Sequence, residues 1–360
     1  MTQTERPNLP LFTEARPRTG YRLVQLPFEL AAEIASNEHR FELKATDAES
    51  PVYLCSKTRT YQLLQLSQSN SLFLVTPEHA PDAMDIEGQA PSRFHATPVK
   101  TGYLECIPAD PKPDLSYVPR YAGSEDLATV ESELTYQELH SRTPVSETGL
   151  ASAWRQAGGV EIDGRIYVLA DDLVARLLIA IVDGTRAERL EWAALTAANT
   201  FGAVADEGEP QSVVTAVLRR FSDSPEEPYA LNIPTIIKWF GERVLEEHGY
   251  SALRLADFDQ LWAEALPTSL DEGRSLDLLK GRYVHPTPSS ILYFPPSRLP
   301  TAPAARFDRL FDVKASWDTE DITPFLTDIE PNVDRINVLF MKHTKKKTVG
   351  KRTVVSRRGV

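Results

Sequence analysis

Trp317-Asp318-Thr319-Glu320-Asp321-Ile322-Thr323-Pro324-Phe325-Leu326 opens the stretch, running on to Val360, that decides how this chain reads. After Asp334 no acidic residue follows, whereas Arg335, Lys342, Lys345, Lys346, Lys347, Lys351, Arg352, Arg357 and Arg358 supply nine basic ones. Setting these nine aside leaves 30 of the 39 Lys+Arg against all 51 acids, so a body of net charge −21 ends in a tip of +9. Such asymmetry marks attachment to a polyanion, usually nucleic acid. Taken alone, the same charge run also fits a disordered basic tail or an import signal.

Local pattern favours a folded tip. Thr319 before Glu320 and Asp321 predicts a helix N-terminus, with the hydroxyl capping free N–H groups and the acids facing the positive end of the dipole. Ile322, Phe325, Leu326 and Ile329 share one face, and Pro324 requires a kink or a restart as a short turn. A second helix is expected from Val333 to about Lys346, burying Val333, Ile336, Phe340 and His343 and turning Arg335, Lys342, Lys345 and Lys346 outward. Val349-Gly350-Lys351 reads as a tight turn and Arg352 to Arg358 as a basic strand. Helix, turn, basic helix and basic hairpin spell a winged helix, with one helix in a groove and the wing on phosphates. The candidate DNA-binding residues are Lys342, Lys345, Lys346, Lys347, Lys351, Arg352, Arg357 and Arg358.

Working outward, 360 residues hold two or three domains, and 42% apolar with 25% charged residues is an ordinary composition for a soluble protein. The N-terminus lacks a basic segment followed by an apolar run, and the longest apolar stretch, Leu173 to Val182, contains Arg176 and is too short to cross a bilayer. Cys55 and Cys106 are the only cysteines and have no metal-ligand spacing, so an intracellular, metal-free protein is expected.

The expected fold is α+β: a small N-terminal β-sheet or barrel followed by tandem winged helices. Residues 1–19 read as a disordered leader and 20–110 as the sheet domain. Its strands are expected at Tyr21 to Leu26, Phe41 to Ala45, Val52 to Ser56, Thr60 to Leu66, Ser71 to Thr76 and Gly102 to Ile107, with one helical insertion, Phe28 to Ala35. Alternation of Tyr61, Leu63 and Gln65 against Gln62, Leu64 and Leu66 makes the sheet apolar on both faces, which calls for another surface to cover one of them. Pro77 to Pro98 reads as a loop and 111–129 as a linker. Residues 130–232 form the first winged-helix region, long enough for a pair, 233–303 the second, and 304–360 the third, with the basic face. Within these, Asp163-Gly164 between Val160-Glu161-Ile162 and Arg165 to Leu169 signals a type I′ hairpin.

Catalytic chemistry finds no support. Glu320 and Asp321 are ordinary first-turn acids. Gly350-Lys351-Arg352-Thr353 resembles the end of a phosphate loop, but the required glycine five residues earlier is Lys345. The histidines show no ligand spacing, and Trp154, Trp192, Trp239, Trp262 and Trp317 read as core anchors. No catalytic, cofactor-binding or metal-binding residue is assigned, and the chain is not expected to be an enzyme.

The ordered motifs resemble the sister chromatid cohesion protein DCC family, a non-catalytic subunit of an alternative replication factor C clamp loader. The resemblance runs through Val52-Tyr53-Leu54-Cys55-Ser56-Lys57-Thr58-Arg59-Thr60-Tyr61 and Ser69-Asn70, then Ile162-Asp163-Gly164 and Leu276-Asp277-Leu278-Leu279-Lys280-Gly281. It is densest at Arg306-Phe307-Asp308-Arg309-Leu310-Phe311, Trp317 to Leu326 and Ser356-Arg357-Arg358. It implies that the sheet domain co-folds with a second small subunit and the C-terminal tail of the large clamp-loader subunit. It further implies that the winged helices dock on the leading-strand DNA polymerase epsilon and contact DNA in the nucleus, supporting sliding-clamp loading and cohesion, and that other subunits hydrolyse ATP. Pro- and Ala-rich stretches, Pro295 to Ala305 and Ala193 to Ala198, depart from the pattern, so no polymerase-contact residue is carried over. A winged-helix transcription regulator that reads DNA sequence is the competing expectation.

Overall fold

Period-two alternation makes Thr60–Ser67 a strand, and it lies at the centre of an open five-stranded sheet. The computed structural model describes residues 11–13, 23–36, 40–67, 72–78, 93–99, 102–124, 132–249, 251–350 and 352–358. The first elements are β1 (Leu11–Thr13), β2 (Val24–Gln25), α1 (Phe28–Ser36), β3 (Glu42–Lys44), β4 (Val52–Cys55), β5 (Thr60–Ser67), β6 (Leu72–Glu78), β7 (Arg93–Val99) and β8 (Gly102–Ala109). The larger sheet runs β2-β8-β5-β4-β3, and β5 pairs antiparallel with β8 from Thr60↔Ala109 to Ser67↔Gly102. That register puts Tyr61, Leu63 and Cys106 on one face, where Leu30 of α1 packs against Tyr61 and Cys106. The opposite face, with Gln62, Leu64 and Leu66, is half-buried.

The sheet does not close into a barrel. Its terminal strands have two and three residues, too short to carry the stagger that closure needs. Among the elements β1 to β8, two strands fall where none was expected, and the short β9 (Arg120–Tyr121) falls in the expected linker. β1 lies inside the expected leader and pairs in parallel with β7, and β7 occupies the expected Pro77 to Pro98 loop as the middle of a β1-β7-β6 sheet. The prolines misled: Pro98 lies beyond the three β7 residues that β1 covers, so its missing N–H costs no ladder bond on that side.

By contacts the chain divides into two compact units, Met1–Pro119 with Glu131–Val168, and Arg120–Val130 with Leu169–Val360. The short strand β9 (Arg120–Tyr121) belongs to the second unit; α2 (Tyr136–Arg142), α3 (Glu147–Ala157), β10 (Gly159–Ile162) and all but the last residue of β11 (Arg165–Leu169) belong to the first. Thr135 and Glu138 form a capping box on α2, and Ser146 caps α3 through Gly149 N–H. The β4–β5 turn docks on that cap: Ser146 N–H donates to Thr60 Oγ1 at 2.8 Å and Thr148 N–H to the Lys57 carbonyl at 3.1 Å. Beside it the buried Lys44 ammonium donates to the His140 carbonyl at 2.9 Å and lies 3.2 Å from Glu42. Asp163 (φ 50) and Gly164 (φ 76) make the type I′ turn as expected, and Leu139, Leu150, Ile166 and Val168 share a core beneath it.

In the second unit the helices are α4 (Asp171–Ala187), α5 (Ala197–Ala203), α6 (Gln211–Arg220) and α7 (Ile233–Glu247), then β12 (Leu253–Arg254) and α8 (Leu255–Ala265). α4 buries Leu173, Val174, Leu177, Leu178, Ile181 and Val182 on one stripe. Ser275 to Lys280, expected as a helix, is a 3₁₀ turn at Leu276–Leu279, followed by β13 (Tyr283–Val284) and β14 (Ser290–Tyr293) in a β12-β14-β13 sheet. Gly281 ends that turn at φ 81, where an added Cβ would sit 2.6 Å from Pro324, so both the angle and the close approach demand glycine.

The chain ends in α9 (Pro303–Val313), β15 (Ser316–Asp318), α10 (Thr319–Ile322), α11 (Val333–His343), β16 (Thr344–Val349) and β17 (Arg352–Arg357). Their core holds Phe307, Leu310, Trp317, Ile322, Phe325, Leu326, Ile336, Phe340 and Val355. Pro324 resolves as a 3₁₀ turn, Thr323–Phe325, after a four-residue helix whose N-cap is Asp318 rather than Thr319. Of the five tryptophans, Trp262 and Trp317 are buried; Trp154, Trp192 and Trp239 are half-buried.

Candidate nucleic-acid interface

Arg306 sets the frame of the basic tip. It is 1% exposed, donates to the carbonyls of Pro300 and Phe325 at 2.7 Å each, and grips the Asp328 carboxylate with both terminal nitrogens. One buried cation thus ties the loop before α9 to the turn after α10, with its charge and donors satisfied. Trp317 Nε1 donates to the Leu310 carbonyl at 3.1 Å, fixing β15 against α9.

On this frame α11 begins at Asn332, whose side chain accepts from the N–H groups of Asp334 and Arg335. It ends at His343, three residues before the expected limit. Thr344 is extended (φ −129), and Lys345, Lys346 and Lys347 lie on β16, paired with Ser356, Val355 and Val354. Lysine suits a helix, but a six-residue ladder over the buried Val355 outweighs that preference. The lysine run therefore belongs to the β16–β17 hairpin rather than to the helix expected to reach Lys346.

Side-chain alternation sorts the cations. Thr344, Lys346 and Thr348 share the face of Val355 and Trp317, and the Lys346 ammonium lies 5.7 Å from the Phe340 ring centroid. Lys345 and Lys347, with Arg352 opposite Val349, occupy the other face, which is open to water. Among the described residues no carboxylate pairs with Lys342, Lys345, Lys346 or Lys347. Arg352 is loosely held, 3.4 Å from Asp318 and 78% exposed in its side chain. Two other predicted contacts already have partners within the fold. Arg357 binds Asp312 at 2.6 Å and the Asp308 carbonyl at 2.9 Å, and Arg358 donates to the Lys342 carbonyl at the end of α11. Lys351 lies outside the described residues. All the described candidates are exposed, but they differ in what holds them: Lys342, Lys345 and Lys347 have no carboxylate partner among the described residues and Arg352 a long one, whereas Lys346 lies near the Phe340 ring and Arg357 and Arg358 are hydrogen-bonded to the fold.

His343 packs as expected, its ring stacked 5.6 Å from Phe307. Burial, then the charges of Lys342 and Arg358, push its pKa below the ordinary histidine value, with Asp308 opposing. Val333, expected inside, is 60% exposed, because as the first residue of α11 it reaches past the core that takes Ile336 and Phe340. Sequence reasoning also missed that Val338 and Met341 stand outward at 54% and 62% exposure. The signal was available, since both lie on the helix side opposite Ile336 and Phe340.

Comparison with known proteins identifies the family of the chain. A family model described as sister chromatid cohesion protein Dcc1 matches residues 21–326. Sister chromatid cohesion protein DCC1 of Saccharomyces cerevisiae is 28% identical, over 94% of this chain and 97% of its own length. The proteins of the same name from Mus musculus and Homo sapiens are 24% and 23% identical, each over 83% of this chain and over 78% and 79% of their own lengths. The family match takes in the Arg306 and Trp317 framework and stops before the cationic hairpin. With more than four fifths of its length matched, the chain belongs to the sister chromatid cohesion protein Dcc1 family.

Proposed function

We propose that this chain is a non-catalytic adapter subunit of an alternative replication factor C clamp loader, acting in the nucleus in sliding-clamp loading and sister chromatid cohesion. Its N-terminal sheet region holds a small clamp-loader subunit and the C-terminal tail of the large one. Its first winged helix meets the catalytic region of DNA polymerase epsilon, and its last winged helix holds DNA. The observation that carries the DNA contact is the segregation of charge. Lys342, Lys345, Lys347 and Arg352 lie exposed in a tip that carries no acid after Asp334. The winged-helix reading is supported by the order α9, β15, α10, α11 and a three-stranded β15-β17-β16 sheet over one core.

The protein contacts are supported by the open sheet. β3 is a terminal strand, and Phe28 and Leu43 are 85% and 67% exposed, joined by Leu23, Ile34 and Val52. A strand edge flanked by apolar side chains suits another chain adding to the sheet. No helix is long and apolar enough to cross a membrane, and no cluster of metal-ligating side chains occurs among the described residues.

The salt dependence of duplex binding tests the DNA contact. Four engaged cations give a slope of log affinity against log salt of about −3.6, and replacing Lys345, Lys347 and Arg352 by alanine removes about 2.7 of it. An unchanged slope in that variant would overturn the assignment. Co-expression tests the adapter role: the chain should co-purify with the two partner segments, and a Leu43→Asp variant should lose them while keeping DNA binding. Failure of the wild-type chain to co-purify with either segment would remove the adapter reading.

A further inference from the structure

The outward side of α11 is the least expected surface of the tip. At about 100° per residue, Ile336, Leu339, Phe340 and His343 fall on the inward side, and Asn337, Val338 and Met341 with Asp334 face away. Val333, at the first turn, lies on the side of Phe340 rather than on this stripe, and Arg335 and Lys342 border Val338. Three large apolar side chains more than half exposed on one short helix are not a phosphate-binding surface, since phosphates take cations and N–H donors. They are flanked by cations with no carboxylate partner among the described residues: Lys342 on the helix, and Lys345 and Lys347 on the strand that leaves its end.

Two kinds of atom in one partner satisfy both features. The major groove of duplex DNA presents thymine methyl groups to apolar side chains and adenine N6 and N7 to an asparagine amide, and its walls are phosphates. We infer that α11 enters the major groove, with Val338 and Met341 against thymine methyls, Asn337 on an adjacent adenine edge, and the hairpin cations on the flanking backbone. The tip then carries a bias toward A·T steps superimposed on sequence-independent phosphate binding. This rests on the DNA-binding reading above and adds base contact to it.

The test replaces thymine by deoxyuracil, which removes the methyl and keeps base pairing and phosphate charge. Each buried methyl is worth about fourfold in affinity. The full-length chain should therefore bind an A·T-rich 16-base-pair duplex roughly four- to tenfold more tightly than its deoxyuracil counterpart, by fluorescence anisotropy at fixed salt. A Val338→Ala/Met341→Ala variant, altered only at exposed positions, should lose that ratio and keep the wild-type salt slope. Equal affinity of the wild-type chain for the two duplexes overturns the groove assignment and leaves phosphate binding standing. A variant that keeps the thymine preference also overturns it, and assigns the apolar stripe to a protein partner. No measurable binding to either duplex overturns the DNA reading itself, and this inference with it.

Discussion

The hairpin of Gly159–Ile162 and Arg165–Leu169 and the hairpin of Thr344–Val349 and Arg352–Arg357 follow the same local plan and differ in what remains outside. Both are antiparallel and follow a helix directly. The first spends nearly all its side chains on burial. Val160, Ile162, Ile166, Tyr167, Val168 and Leu169 are all inside, and its one arginine, Arg165, is tied to the Glu133 carbonyl. The second buries little beyond Thr344 and Val355 and leaves Lys345, Lys347 and Arg352 in water. One inward face is enough to fix a hairpin once a core receives it, and a second apolar face adds stability at the expense of a surface for charge. The first hairpin therefore serves as scaffold, and the second is free to meet a polyanion.

The sharpest way to break this comparison is to remove the support under the second hairpin. Arg306→Ala leaves the Asp328 carboxylate and the carbonyls of Pro300 and Phe325 without their donor, a loss of about 3–5 kcal/mol. Thermal unfolding should show the loss, and hydrogen exchange should accelerate over 296–357; an effect under about 1 kcal/mol would mean the guanidinium is replaceable by water. Next, Ile166→Ala in the first hairpin should cost about 2–4 kcal/mol while leaving DNA affinity unchanged below the melting range, because that hairpin offers packing alone. Parallel losses of stability and DNA binding would refute the division of roles. Smaller still is the contrast between two arginines of β17. Arg352→Ala should lower the salt slope by about 0.9, whereas Arg357→Ala, removing a cation already bound to Asp308 and Asp312, should leave it nearly unchanged.

The contrast also explains what could be read in advance. The Asp163-Gly164 turn, the Ser146 cap and the stripes of α4 and α7 follow from rules acting within a few residues, and they stand where the sequence put them. The motifs that carried the family resemblance mostly make contacts between elements: Arg306 with Asp328, Trp317 with Leu310, Gly281 against Pro324. Their residue types were visible and their partners were not. For the basic tip, charge gave the location but not the geometry. Whether Lys345 to Lys347 continue α11 or start β16 depends on pairing with a strand that begins five residues later, which helix preference cannot weigh. The same pairing register, unknown in sequence, decides that Lys346 shares the sheet face of Val355 and Lys345 does not, although both are exposed. In the sheet region, β7 was hidden because its two neighbours in space, β1 and β6, are separated from each other by about sixty residues.

The smallest expected effect is a proton. At His343, burial against the Phe307 ring disfavours the imidazolium, and Lys342 and Arg358 repel it further while Asp308 offsets part of that. Because the folded value lies below the ordinary one near 6.5, the unfolded chain takes up this proton first as pH falls. The associated stability is complete above about pH 6.5 and is lost progressively as pH falls toward the folded value. His343→Gln cannot titrate, so the stability advantage of the wild-type chain over this variant should shrink between pH 7.5 and pH 5.5, as read from paired urea titrations. Bound phosphate would act in the opposite sense, favouring the imidazolium, so saturating duplex DNA should weaken that pH dependence. A wild-type advantage that is constant across the range would show that neither burial nor the cations of the tip depress the His343 pKa in the folded chain.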